Sequence, residues 1–184
     1  MKLAATHRWS DDRVSLFLLT PDKVSDAYVG WLNDPEINCF LESRFAVQDR
    51  PGVEAFVDRL LASESDLFLG ITDRALDRHV GNIKLGPVDR RHRLGEIGIM
   101  VGDRAAWGRG IGTSAIACLA RIAAHELGLR KLSAGCYATN VGSRRAFEKA
   151  GFATEAVRPA HLLLDGRPED VILLGRFIDR SDND

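Results

Sequence analysis

The sequence predicts an α/β fold of the α+β kind, a mixed sheet flanked by helices, and two observations carry this. Apolar runs of strand length are interleaved with stretches of helical spacing, in the order strand, helices, three strands, helix, strand, helix, hairpin. Helices fall between strands without the strict alternation that a doubly wound parallel sheet requires. The counts agree with one domain: 184 residues, 45% hydrophobic and 28% charged, bury enough surface to fold without disulfides or a structural metal. With no repeat, low-complexity run or linker, a single domain is expected over 1–184, with 1–13 as an N-terminal extension and Asp179 to Asp184 as a polar tail.

The elements follow in order. Val14 to Leu19 is an apolar run and reads as the first strand. Thr20-Pro21-Asp22 supplies an N-cap, a proline at the first helical position and an acid in the first turn, so a helix is expected to about Leu32, with Val24, Ala27, Tyr28 and Trp31 on one stripe. Asn33-Asp34-Pro35 ends it. Pro51 to Ala62 is a second helix, its stripe Val53, Phe56, Val57 and Leu60. Leu67 to Ile71 and Val80 to Leu85 make a hairpin, and Leu94 to Val101 is a strand preceded by the basic turn Arg90-Arg91-His92-Arg93. Gly110 to about Leu127 is helical and closed by Gly128; Lys131 to Tyr137 is a strand; Asn140 to Ala150 is a helix closed by Gly151. Thr154 to Leu164 and Asp170 to Phe177 are strands joined through Asp165-Gly166.

Charge excludes one class of function. Lys plus Arg number 25 against 26 Asp plus Glu, whereas a general nucleic-acid binder needs a large basic excess. An anionic ligand must therefore be held locally. Cys39, Cys118 and Cys136 contain no CxxC pair, which fits a reducing, cytoplasmic compartment. No stretch reaches 18 apolar residues and Met1 to Arg13 is too polar for a secretory core, so no membrane association is expected. His125-Glu126 begins like HExxH, but Leu129 stands where the second histidine belongs, so no metal is expected.

Of 17 glycines, Gly108, Gly110 and Gly112 fall at every second position between a strand and a long helix. Such a segment can point successive backbone N–H groups into one concavity, with the helix dipole adding positive potential and Arg109 a charge. A Walker loop is excluded because Thr113 follows Gly112 with no lysine. A dinucleotide fingerprint is formally present in Gly110-x-Gly112-x-x-Ala115, yet the next strand ends without the acid a ribose requires. From spacing alone a phosphate site and a turn for close helix packing both remain open.

Trp107-Gly108-Arg109-Gly110-Ile111-Gly112-Thr113-Ser114-Ala115 follows the strand segment Glu96-Ile97-Gly98-Ile99, then come Asn140-x-x-Ser143 and Glu148-Lys149-Ala150-Gly151-Phe152. In this order the segments resemble the GNAT acetyltransferases, specifically the RimJ/RimL-like branch of ribosomal-protein N-acetyltransferases, over roughly Val14 to Phe177. The resemblance implies a largely antiparallel central sheet and acetyl-CoA as co-substrate. Its pyrophosphate would sit on the amides of Gly108 to Thr113, beside Arg109 and Trp107, and its pantetheine arm against Ile99, Met100, Val101 and Asn140. Lys149 is a further candidate for a CoA phosphate.

Amine acetylation needs a base and an acid. Glu96 is the candidate base: strand alternation puts it on a face with Leu94, Gly98 and Met100, where partial desolvation beside a cleft would raise its pKa, the competing reading being a pair with Arg93 or Lys84. Ser143 is the candidate acid toward the CoA sulfur, the role the resemblance gives a serine in this branch; its competing reading is a first-turn serine bonded to the Asn140 backbone. Tyr137 is the alternative acid. The acceptor is expected between the first helices and the final hairpin, with Trp31, Asn33, Glu36, Asn82, Lys84 and His92 as candidates. A protein N-terminal amine and a small amine such as a nucleotide-linked amino sugar are both open, as is a catalytically silent acyl-CoA-binding module. The strand Asp170 to Phe177 is expected near a sheet edge, where a second copy could pair to form a homodimer.

Overall fold

A computed structural model describes residues 8–178. The polar tail and the first seven residues lie outside the described residues.

Eight strands form one sheet: β1 (Arg8–Ser10), β2 (Val14–Leu18), β3 (Leu67–Asp73), β4 (Arg78–Leu85), β5 (Leu94–Val101), β6 (Lys131–Tyr137), β7 (Ala153–Leu164) and β8 (Arg167–Phe177), in the order β1-β2-β3-β4-β5-β6-β8-β7. Every neighbouring pair is antiparallel except β5 and β6. That exception is the place where a helix crosses over, because parallel neighbours cannot be joined by a tight turn. Among the described residues the α-helices are α1 (Asp26–Asn33), α2 (Pro35–Asn38), α3 (Arg50–Ala62), α4 (Ile111–His125) and α5 (Val141–Lys149).

Strand alternation divides the interior into two cores. Leu16, Leu69, Ile83, Ile97 and Leu132 pack with Ile116 and Leu119 of α4 and Phe147 of α5. On the opposite face Phe17, Phe68 and Met100 meet Tyr28 and Trp31 of α1 and Val53 and Val57 of α3. No described helix is long and apolar enough to cross a membrane.

Three expectations are corrected. The helix expected from Pro21 is only a 3-10 turn over Pro21–Lys23: Thr20 makes no side-chain cap bond, Val24 is extended, and Ser25 starts α1 by accepting a hydrogen bond from the Tyr28 N–H at 3.1 Å. Part of the segment read as an extension pairs with β2 as β1, from which Trp9 packs on the core. The strand containing Asp170 to Phe177 is interior, buried through Ile172 and Leu174 between β6 and β7, so the edge belongs to β7.

Candidate active site

The parallel pairing of β5 with β6 covers only Leu94 with Lys131, Gly95 with Leu132 and Glu96 with Ser133. Beyond it the two strands run on unpaired with each other, β5 through Ile97–Val101 and β6 through Ala134–Tyr137. The direction of the backbone along this split follows from flanking bonds. The N–H groups of Gly86 and Gly102 donate to the carbonyls of Glu96 and Val80, so even-numbered residues of β5 turn their peptide groups toward β4 and Ile97, Ile99 and Val101 turn theirs into the split. On β6 the Ala138 N–H donates to Asp170, so Gly135 and Tyr137 face the split. The indole Nε1 of Trp107 already donates to the Val101 carbonyl at 2.7 Å and the Asn140 N–H to that of Tyr137 at 2.9 Å. Met100 is a correction: its backbone belongs to the β4 ladder, and only its side chain reaches the site.

Beside this split stands the glycine loop. Gly108 (φ 72°) and Gly110 (φ 80°) are left-handed, and Gly110 is the N-cap of α4 without any side-chain cap bond. Ser114 is the first residue to donate back, to the Gly110 carbonyl at 3.0 Å. The amides of Ile111, Gly112 and Thr113 therefore lack an acceptor within the helix and carry the positive end of its dipole. The glycines of the cluster meet different local demands. A Cβ at Gly108 would meet nothing, so it is the backbone angle that calls for glycine there, whereas one at Gly112 would make only ordinary contact with Ala146 of α5 at 3.6 Å and Val101 at 3.9 Å, so close helix packing does not require glycine at that position.

Arg109 is not the free cation expected. Its Nη1 lies 2.8 Å from Oδ2 of Asp73, which is 1% exposed and also accepts from the Ala75 and Leu76 N–H groups. The guanidinium that does border the loop is that of Arg13, whose Nη1 donates to the Arg109 carbonyl at 3.2 Å and lies 3.9 Å from where a Gly110 Cβ would stand. Nothing local in the sequence pairs residues 96 positions apart.

On the face away from α4, Glu96, Gly98 and Met100 border one side of the split and Ser133, Gly135 and Tyr137 the other. Glu96 is exposed and makes no hydrogen bond or ion pair among the described residues, which corrects the desolvation expected for it; Lys84 pairs instead with Asp66 at 3.3 Å. The Tyr137 hydroxyl donates to Glu42 at 2.8 Å and accepts from Arg44 at 2.9 Å, and burial pushes its pKa above the ordinary phenol value. Tyr137 thus clasps the Glu42–Phe45 turn to β6, a role that leaves no proton to spare. Asn140 caps α5 by accepting from the Ser143 N–H at 3.1 Å, and the half-buried Ser143 hydroxyl has no partner among the described residues. Lys149 stands at the other end of α5, about 13 Å along its axis from Asn140.

Most acceptor candidates are structural. Trp31 is buried against the His79 ring at 5.2 Å and lies over Gly102, where any Cβ would clash with the indole. Asn33 ties α1 to Gln48 through bonds of 2.7 and 2.9 Å, and Glu36 pairs with Arg104 at 2.9 Å. His92 sits in the turn before β5, at the end opposite the split, where its N–H donates to Asp89. Asn82 is buried on the face of Glu96 and opposite Met100.

A family model described as acetyltransferase (GNAT) domain matches residues 13–153. The chain is 33% identical over 111 residues to "Probable N-acetyltransferase YjcK" of Bacillus subtilis (strain 168), an alignment spanning 60% of this chain and 61% of that protein. In fold it is similar to a spermidine N-acetyltransferase from Vibrio cholerae solved with CoA and spermine (TM-score 0.79, 18% identity, 91% of this chain and 97% of that one). It is equally similar to the microcin C7 self-immunity acetyltransferase MccE solved with acetyl-CoA and AMP (TM-score 0.79, 20% identity, 91% and 94%).

Proposed function

Because the chain belongs to the acetyltransferase (GNAT) family, we propose that it is a cytoplasmic acetyl-CoA-dependent N-acetyltransferase acting on a primary amine. The observation that carries this is the split between β5 and β6, with peptide groups turned into it from both sides and the uncapped N-terminus of α4 beside it. The residues fit such a donor. Amides of Ile99, Val101 and Gly135 suit an amide-bearing arm in the manner of an added strand, and those of Ile111 to Thr113 suit a pyrophosphate, with Arg13 as the adjacent charge. When bound, acetyl-CoA supplies a thioester carbonyl and a thiol leaving group. Glu96, exposed where the pairing ends, takes the proton of the attacking amine. The Ile99 N–H, the inward amide of β5 on the Glu96 side of Val101, polarises the carbonyl, and Ser143 gives a proton to the departing sulfur. The Trp107-Gly108-Arg109-Gly110 loop supports placement in the RimJ/RimL-like branch, whose acceptors are protein N-termini; a small amine is the other acceptor class.

Purified protein with acetyl-CoA and a panel of peptide N-termini, amino-sugar nucleotides and small amines is expected to release thiol with at least one acceptor. Binding of CoA without thiol release from any amine would identify an acyl-CoA-binding module instead. Gly110→Val tests the donor half separately. A branched side chain at φ 80° strains the loop by about 1–2 kcal/mol and turns the amides away, so CoA affinity measured by calorimetry is expected to fall about tenfold or more.

A further inference from the structure

Resting on that acetyltransferase reading, we infer that Asn82 is a specificity-determining residue: its buried Nδ2–H donates to an oxygen that the acceptor carries within a few bonds of its amine. The acceptor class is then an oxygen-bearing amine, as at a peptide N-terminus, and not a polyamine.

Strand β4 carries a bulge where it pairs with β3. Ile71 pairs with Gly81 but Thr72 with His79, so Val80 is an extra residue in β4. Val80 consequently enters the core under α4, and His79 moves to the opposite face beside Asn82. Gly81 permits this, since a Cβ there would lie 2.2 Å from the Met100 carbonyl. His79 is boxed by Phe17, Tyr28 and Trp31, and burial keeps its pKa below the ordinary value. Its Nε2 is 2.8 Å from the Gly81 carbonyl oxygen, which only accepts, so Nε2 carries the hydrogen. The Asn82 atom 3.0 Å from the same Nε2 must then be Oδ1, because the flipped amide would set NH2 against N–H.

Asn82 is thereby locked with Nδ2 turned away from His79. The residue is 3% exposed and Nδ2 has no hydrogen-bond partner among the described residues. A buried donor left so costs about 1–3 kcal/mol, which a leucine of similar size would avoid. On the β3 side the Phe17 ring covers Gly70. On the other side the neighbour is Met100, half-buried and flexible, and then Gly98 between Met100 and Glu96. Neither conformation nor packing demands glycine at 98, where a Cβ would meet nothing, and a strand glycine without such a reason marks close approach of a ligand. Asn82 and Glu96 are one strand and four residues apart, about 14 Å between Cα atoms. Their side chains close part of that distance, and an amine with a nearby carbonyl or hydroxyl fits the remainder.

The test compares a short peptide with a free N-terminus, an oxygen-free alkylamine of matched length, and spermidine, in wild type, Asn82→Leu and Asn82→Asp. The aspartate keeps the oxygen that faces His79 and, when ionised, replaces the Nδ2 donor with a charged acceptor. Wild type is expected to favour the peptide. Both variants should lose about tenfold or more in kcat/KM for the peptide, with little change for the alkylamine, unaltered CoA affinity, and a melting temperature for Asn82→Leu no lower than wild type. Unchanged discrimination in both folded variants, as when Nδ2 serves only a resident water, overturns the inference. So does a wild type that acetylates spermidine or the alkylamine in preference to the peptide, a result that leaves the acetyltransferase reading standing. CoA binding without thiol release from any amine would instead remove that reading and this one with it.

Discussion

Arg109→Ala is expected to cost stability far more than it costs cofactor affinity. Removing the guanidinium strands the carboxylate of Asp73, 1% exposed and 2.8 Å away, and an uncompensated buried charge costs about 3–5 kcal/mol. Arg109 is itself partly exposed, which places the effect at the low end, about 3 kcal/mol. For a chain of this length that corresponds to a fall in melting temperature of about 6–12 °C. The Asp73 carboxylate also caps the Ala75 and Leu76 amides at the end of β3, so the loss should loosen the β3–β4 turn as well as the glycine loop. Thermal unfolding read beside calorimetric CoA binding separates the roles: a normal melting temperature with affinity down tenfold would restore Arg109 as the phosphate cation. The pair is a tether that holds the loop carrying Gly108 and Gly110 to the sheet.

How such a pair escapes sequence reading is physical. Features set by neighbours in the chain are legible: β5 and β6 are bounded by their apolar runs, Asn140 caps α5 through an amide three residues on, and left-handed glycines precede the start of α4. Features set by closure of the sheet are not. Asp73 and Arg109 are 36 residues apart, Glu42 and Tyr137 are 95, and no periodicity links either pair. The bulge at Val80 reverses which residues of β4 face α1, so alternation counted along the sequence places His79 wrongly while placing Asn82 correctly. The split itself is invisible because β5 and β6 look like ordinary strands; only their register shows that pairing stops at Glu96. Glu96 was legible as a carboxylate on the acceptor face, but its exposure depended on what α1 and α3 leave uncovered.

That exposure makes Glu96→Gln the cleanest kinetic test. The substitution preserves shape, and at an exposed position without an ion pair among the described residues it should change stability by less than about 0.5 kcal/mol. General-base catalysis is worth about 100- to 10,000-fold, so kcat/KM for the amine is expected to fall within that range. CoA affinity should hold, because Glu96 turns its backbone toward β4 and its side chain away from the α4 loop. Ser143→Ala acts on the other proton, and in the double variant the losses are expected to be less than multiplicative if the two groups serve one transition state. A Glu96→Gln enzyme within threefold of wild type, with its melting temperature unchanged, would mean that the amine sheds its proton directly to solvent. The geometry argues otherwise: beyond Glu96 the acceptor face offers Gly98, Met100, Gly135 and a Tyr137 whose hydroxyl is already committed to Glu42 and Arg44, so Glu96 is the carboxylate that borders the split at the point where the strands part.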